Sequence, residues 1–341
     1  MRKTIQSTDN KNDLNFLGSY ENYLKNYFGV KYCLAVSSGT ASLIVALKAL
    51  DAGSKDEIIA PPTAPLCTAY PVLSTGATLR FCDIRPYNLG LDLIMLSSLI
   101  NKRTKAIIEV PMWGYPTPVD ELKDFARKKN IPLIFDLAHC VGTEFNNKPL
   151  SDYCDIACFS TQKNKIFSTG EGGFLLTANE EYYQKALLYS RMGELNGINF
   201  GLNYKLSNLQ AKAGIEELKI LDENLERRKR NSRFIVDAIT HDNIKEVNYP
   251  SLDKPSYQRL VLHTKDGNKN LAAYMVSKGI PSDIEKYNIK PLYEYPILNN
   301  LKTHCPNAEE LLSIMTTLSV HIDYTEKDLN HIIETINNFP N

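Results

Sequence analysis

The sequence predicts an α/β fold: a mainly parallel sheet covered on both faces, followed by a smaller C-terminal α+β domain. Three observations carry this expectation. Short apolar runs alternate with helix-length amphipathic segments through the first two thirds of the chain. A long helical stretch then ends this alternation and gives way to a sparser strand–helix–helix pattern. The length, 341 residues, exceeds the usual single domain. The expected division is residues 1–240 for the large domain and 241–341 for the small one.

The elements follow in order. Tyr32 to Val36 reads as a strand, Gly39 to Leu50 as a helix, Glu57 to Ala60 as a strand and Pro65 to Ser74 as a helix. Thr78 to Cys82 is strand-like, Leu91 to Ile100 helical, Lys105 to Val110 a strand and Val119 to Lys129 an amphipathic helix. Pro132 to Phe135 is an apolar strand ending at Asp136, and Asp155 to Phe159 and Phe174 to Thr177 complete the set. The long helix runs from about Leu206 to Ala238, with Leu209, Ala213, Leu218, Leu221 and Leu225 near helical spacing. Its charged run, Glu226 to Arg230, reads as a solvated helix face. Arg259 to His263 is a strand, and Leu271 to Lys278 and Glu326 to Asn337 are helices.

Composition narrows the function classes. The chain carries 39 basic and 39 acidic side chains, which argues against a nucleic-acid or polybasic membrane binder. Its seven cysteines lack metal-ligand spacing. Six of them (Cys33, Cys67, Cys82, Cys140, Cys154 and Cys158) lie in or beside apolar runs and read as small buried hydrophobes, as in a reducing compartment. The N-terminal stretch is polar, without a signal core, and no apolar run reaches membrane-spanning length. A cytoplasmic protein is expected.

Three strand ends hold the informative residues, where ligands of a parallel sheet gather. Ser37-Ser38-Gly39-Thr40 joins a strand to a helix, and the helix N-terminus, hydroxyls and glycine suit a phosphate; an ordinary N-cap reads equally well there. Asp136 ends its strand as a partly buried carboxylate that calls for a cationic partner, such as a protonated pyridine nitrogen; taken alone, a helix-capping aspartate reads better there. Lys165 follows the strand that ends near Ser160 and precedes Gly170-Glu171-Gly172-Gly173, glycines read as letting backbone approach a ligand. A phosphate cradle with Ser160 as a further ligand, an aspartate and a Schiff-base lysine are the parts a pyridoxal phosphate site requires. No GxGxxG follows the first strand, which excludes the main dinucleotide signature.

From about Gly18 to Thr325 the chain resembles the DegT/DnrJ/EryC1/StrS sugar aminotransferases, fold-type I pyridoxal phosphate enzymes. The resemblance rests on Val36 to Ala41, Phe135 to His139, Phe159 to Lys165, Gly170 to Gly173 and Gly201 to Ala211. It implies a seven-stranded sheet between helices in the large domain. It also implies covalent attachment of pyridoxal 5'-phosphate to Lys165, which would then shuttle the substrate proton. Asp136 would pair with the ring nitrogen, Ser38, Gly39, Thr40 and Ser160 would hold the phosphate, and His139 would stand beside the ring hydroxyl, where glutamine is usual. Asn203 would reach the phosphate of a neighbouring subunit, so a homodimer with composite sites is implied.

The implied reaction moves an amino group from glutamate or glutamine to a keto sugar, nucleotide-linked as in most relatives. A cyclitol ketone or a non-catalytic regulatory role are the alternatives. A lyase would typically carry histidine in place of Lys165. The chain departs from the family at Pro65, which takes the place of the usual ring-stacking aromatic with Trp113 as a candidate substitute, at Lys205 in place of arginine, and at Leu318 to His321. His304, His321, Tyr293 and Lys290 are the candidate substrate contacts from the smaller domain.

Overall fold

The structure, a computed structural model, describes residues 15–86, 88–249, 252–264 and 268–340. The polar stretch at the N-terminus lies outside the described residues. Helix α1 (Phe16–Phe28) precedes β1 (Tyr32–Val36), α2 (Gly39–Ala49), β2 (Glu57–Ala60), α3 (Leu66–Thr75), β3 (Thr78–Phe81) and α4 (Leu93–Leu99). Next come β4 (Thr104–Glu109), α5 (Val119–Lys129), β5 (Leu133–Asp136) and a small ribbon of β6 (Glu144–Phe145) and β7 (Lys148–Pro149). Strands β8 (Ile156–Ser160) and β9 (Gly173–Thr177) lead into α6 (Glu180–Ser190) and the long α7 (Asn208–Asp237). The C-terminal part holds β10 (Ile244–Glu246), β11 (Leu260–Thr264), α8 (Asn268–Ser277), α9 (Asp283–Tyr287), α10 (Pro306–Ile314), β12 (Met315–Leu318) and α11 (Glu326–Asn337).

Seven strands form one sheet in the order β1-β9-β8-β5-β4-β2-β3. All neighbours are parallel except β9, which runs antiparallel to both β1 and β8. The carboxyl ends of the other six strands therefore share one edge, as expected for a site built from Val36, Asp136 and Ser160. Strand residues alternate between two cores. Leu34, Val36, Ile58, Ile134 and Cys158 face one, packed by α2 and α3, whereas Ala35, Ile59, Phe135 and Phe159 face the other, packed by α1, α5 and α7. Burial on both faces is what makes these strands continuously apolar. A second sheet, β10-β11-β12, is antiparallel.

Two expectations change at this level. The charged run on α7 is not wholly solvated: Arg228 is buried and donates from Nη1 to the Val320 carbonyl at 2.6 Å. It sits on the same helical face as Leu221, Leu225, Ser232 and Ile235, all buried, so the 3.6-residue period carries it inward. Cys67 is exposed, not a core residue, because it falls in the first turn of α3 at the sheet edge. Among the described residues no helix is long and apolar enough to cross a membrane.

Candidate active site

A cavity of about 420 Å³ opens beyond the carboxyl edge of the large sheet. Its wall is drawn from segments distant in sequence. Pro65 and Cys67 start α3, Trp113 follows β4, His139 follows β5, Lys165 follows β8, and Arg259, Asp283 and Lys290 come from the C-terminal part.

Lys165 lines this cavity and is half-buried, whereas Lys163 is exposed. Burial pulls the Lys165 ammonium below its ordinary value, Asp136 and Cys67 oppose that shift, and the Arg259 charge adds to it. The loop is pinned by Gln258, a residue that no sequence signal singled out. Its amide nitrogen donates to the Asn164 carbonyl at 2.8 Å and its oxygen accepts from the Ile166 N–H at 3.2 Å. The peptide bonds on either side of the lysine are thus held by one side chain.

Asp136 is buried at the end of β5, and no cation lies within ion-pair distance of it among the described residues. One oxygen accepts from the Thr68 hydroxyl at 2.6 Å and the other from the Ala138 N–H at 3.1 Å. Burial raises its carboxyl above the usual range despite these bonds and the nearby Lys165. Thr68 is buried one residue beyond Cys67 in α3. It too was missed, because a threonine inside an apolar helix gives no signal of a partner far along the chain.

His139 is half-buried and lines the cavity. Its Nδ1 accepts from the Trp113 backbone N–H at 3.3 Å. Burial first, then the charges of Lys165 and Arg259, hold the ring well below its ordinary value. A neutral ring whose Nδ1 accepts carries its proton on Nε2, leaving that N–H as the donor. Trp113 is itself buried with φ +58°, a left-handed conformation that a bulky residue rarely adopts.

The second cluster lies where β1 and β8 end. Ser38 caps α2, its hydroxyl oxygen accepting from the Ala41 N–H at 3.0 Å. This is the N-cap geometry, and it leaves the first-turn N–H groups of Gly39 and Thr40 as donors for an anion. A Cβ on Gly39 would stand 2.6 Å from the Ser160 Cβ, so only glycine lets α2 begin against the end of β8. Gly173 answers a similar demand, its Cβ position lying 2.6 Å from the carbonyl oxygens of Ser38 and Phe159. Of the glycines after Lys165, Gly173 thus serves backbone-to-backbone packing, whereas Gly170 and Gly172 hold positive φ values of +83° and +154°. Ser38, Gly39, Thr40, Ser160 and Asp136 lie outside the wall of the 420 Å³ cavity, beside it at the same sheet edge.

Asn203 is exposed and away from the cavity wall; its side chain accepts from the Lys205 N–H at 3.3 Å. Of the four candidate substrate contacts, the cavity gathers only Lys290. Tyr293 is buried, bonded to Glu309 at 2.7 Å and packed edge-on against Phe81. His304 and His321 are exposed elsewhere. Pro65 and Trp113 both line the cavity.

These residues fit pyridoxal phosphate: a buried carboxylate lacking a cation, an amine inclined to neutrality, a neutral imidazole donor and a helix N-terminus that glycine keeps open. The fold and cleft define an α/β protein with a half-buried lysine in a cleft beyond the carboxyl edge of its large sheet. A sequence model of the DegT/DnrJ/EryC1/StrS aminotransferase family matches residues 2–337, and the chain belongs to that family. It is 34% identical over 220 residues to a GDP-perosamine synthase of Caulobacter vibrioides, covering 63% of this chain and 59% of that protein. It is 31% identical over 224 residues to the L-glutamine:2-deoxy-scyllo-inosose aminotransferase of Streptomyces paromomycinus, covering 61% of this chain and 53% of that one. Those two matches therefore span little more than half of each relative. In fold, a DegT/DnrJ/EryC1/StrS aminotransferase from Brucella abortus superposes with a TM-score of 0.89 at 24% identity, covering 96% of this chain and 90% of that chain.

Proposed function

We propose that this chain is a pyridoxal phosphate-dependent aminotransferase that moves an amino group from glutamate or glutamine to a keto sugar, nucleotide-linked, in amino-sugar biosynthesis. The observation that carries the reading is Lys165: a half-buried amine, pulled toward its neutral form, in a cleft beside the buried Asp136 carboxylate and the neutral His139. When bound, the cofactor supplies an electron sink for the carbon next to the transferred nitrogen. The chain's own part is to hold and move protons. Lys165, whose ammonium burial pulls below its ordinary value, would be the base that takes and returns the proton at that carbon. Asp136 would hold the charge of the ring nitrogen, which would compensate its own burial. His139 would offer Nε2–H to the ring hydroxyl, while the α2 N-terminus with Ser38, Gly39, Thr40 and Ser160 would take the phosphate.

The large and small domains are assigned to residues 1–240 and 241–341; the cavity wall draws on both. A homodimer is part of the reading. Exposed Asn203 lies in a segment that also exposes Leu195, Ile198, Phe200, Leu202 and Leu209, an apolar patch that suits a second copy. A cytoplasmic setting is supported by seven free cysteines.

The test mixes purified protein with pyridoxal phosphate and L-glutamate. Loss of the pyridoxal absorbance together with formation of 2-oxoglutarate supports the reading; binding without conversion favours a non-catalytic role. A panel of nucleotide-linked keto sugars and cyclitol ketones, offered to the aminated protein, then separates the acceptor classes.

A further inference from the structure

We infer that Ser256 and Thr143 form a buried hydroxyl clamp that positions the His139 imidazole and fixes which ring nitrogen carries its proton. This rests on the place proposed for His139 beside the ring hydroxyl of pyridoxal phosphate. It adds two positioning residues that lie outside the cavity wall.

The clamp belongs to a strap. Lys254 to Arg259, in the C-terminal part, runs across three loops at the carboxyl edge of the large sheet. Lys254 exchanges both backbone bonds with Glu144, at 3.0 and 3.1 Å. The Ser256 N–H donates to the Gly114 carbonyl at 2.9 Å, and the Arg259 N–H to the Trp113 carbonyl at 3.1 Å. Gln258 holds the loop that carries Lys165. The loops after β4, β5 and β8 are thereby tied to one short segment. Tyr257 within it is buried at φ +54°, a conformation that surrounding contacts must hold.

Three backbones converge on Ser256. Its hydroxyl and that of Thr143 belong to buried side chains. The Ser256 hydroxyl donates to the His139 carbonyl at 3.4 Å. The Thr143 hydroxyl has one proton to give, and it lies 2.9 Å from Ser256 Oγ and 3.0 Å from the Gly114 carbonyl. A Cβ on Gly114, where φ is +87°, would stand 2.6 Å from Ser256 Oγ and 3.1 Å from the His139 carbonyl oxygen. Only glycine lets the loop after β4 meet the other two segments there.

The neighbour of Gly114 is Trp113, whose N–H donates to His139 Nδ1. That bond is long, at 3.3 Å. It spans the same two loops that the clamp ties together, so a small separation of the loops breaks it. A neutral imidazole whose Nδ1 no longer accepts can carry its proton on either nitrogen. Charge does not make the choice. Those that act on the ring among the described residues are Lys165 and Arg259; both are cations, which keep the ring neutral without selecting a nitrogen.

The experiment uses the full chain, with and without pyridoxal phosphate, and its Ser256→Ala, Thr143→Val and Thr143→Ser variants. Valine keeps the shape of threonine without the hydroxyl, and serine keeps the hydroxyl. Two readouts are taken: nitrogen NMR of the His139 ring, which reports the tautomer, and the pH midpoint of the absorbance change of the bound cofactor. The wild type is expected to show a bare Nδ1 and a protonated Nε2. Ser256→Ala and Thr143→Val should show mixed tautomers, whereas Thr143→Ser should match the wild type. With the Nε2–H donor to the ring oxygen lost, that oxygen keeps more charge beside the protonated nitrogen, so the midpoint should rise by roughly half a pH unit or more. A ring that keeps its single tautomer in Ser256→Ala overturns the inference, however far the melting temperature falls, as does a wild-type ring with mixed tautomers. If Ser256→Ala does not fold, Thr143→Val decides by the same readouts against Thr143→Ser. Mixed tautomers with an unmoved midpoint would leave the clamp standing and sink the place given to His139 at the cofactor ring.

Discussion

Asp136 and Glu109 are both buried carboxyls at strand ends, and they show how differently one residue type can be placed. Asp136 lies close enough to Lys165 and Cys67 for its charge to act on the titration of both, and burial keeps the Cys67 thiol protonated by pushing it up to about 11. Glu109 faces Leu91 and Thr117, and burial pushes its carboxyl up to about 7. Between about pH 4.5 and 7 the native state therefore keeps a proton that the unfolded chain has released, and this group's contribution to stability falls as pH rises through that window. Replacing it with glutamine removes the penalty. Glu109→Gln is expected to stabilise the protein by about 2 kcal/mol at pH 8 and by nothing near pH 4, read from denaturant titrations at the two pH values. For Lys165→Ala, borohydride reduction in the presence of pyridoxal phosphate should leave no cofactor on the chain, as read by mass spectrometry. A trapped adduct at Lys163 would move the assignment to that residue. At this scale Asp136 could be read from sequence because it ends an apolar strand, and Lys165 because it lies between an apolar strand and a glycine-rich turn. Thr68, Gln258 and Arg259 could not, since their roles exist only once segments far apart in the chain have met.

At the scale of elements, the start of α2 depends on two glycines that let three backbones approach one another. Gly39→Ala would press a methyl group against Ser160 at the end of β8. The expected result is a loss of about 2 kcal/mol in stability and weaker pyridoxal phosphate binding, measured together by thermal melts and absorbance titration. Gln258→Leu should cost little packing but free the lysine loop, so faster proteolysis between Gln162 and Phe167 is the expected signature. Most elements from β1 to β9 were legible because continuous apolar runs mark doubly buried strands. Helix α1 was not, although Phe16, Tyr20, Leu24 and Phe28 recur every fourth residue; its tyrosines and lysines hid the stripe. Helix α6 had an Asn179 cap and acidic Glu180 and Glu181 in its first turn, a start signal that was there to be found. The short α9 and β10 carry too few residues for any period to show.

For the whole molecule, the apolar patch around Asn203 is the feature that a lone chain leaves uncovered. Ile198 is 85% exposed, Phe200 78% and Leu209 80%. On the proposed homodimer, Phe200→Asp combined with Leu209→Asp is expected to leave only monomer in sedimentation and to weaken pyridoxal phosphate binding by roughly tenfold or more. A variant that stays dimeric would place the interface elsewhere. Sequence could point to this patch only by resemblance, because four of its five apolar side chains lie between α6 and α7, outside any strand or α-helix, and have no period.

The reversed strand β9 has a bearing on how the molecule is made. Strand β1 lies at the edge of the sheet, and the strand it pairs with among the described residues is β9, with Tyr32 opposite Thr177 and Val36 opposite Gly173. On the ribosome, β1 must wait for that neighbour to be synthesised, roughly ten to thirty seconds at ordinary elongation rates. The turn from Ser37 to Thr40 waits with it. The site for the phosphate is therefore among the last parts of the large sheet to form, although its residues are among the first to emerge.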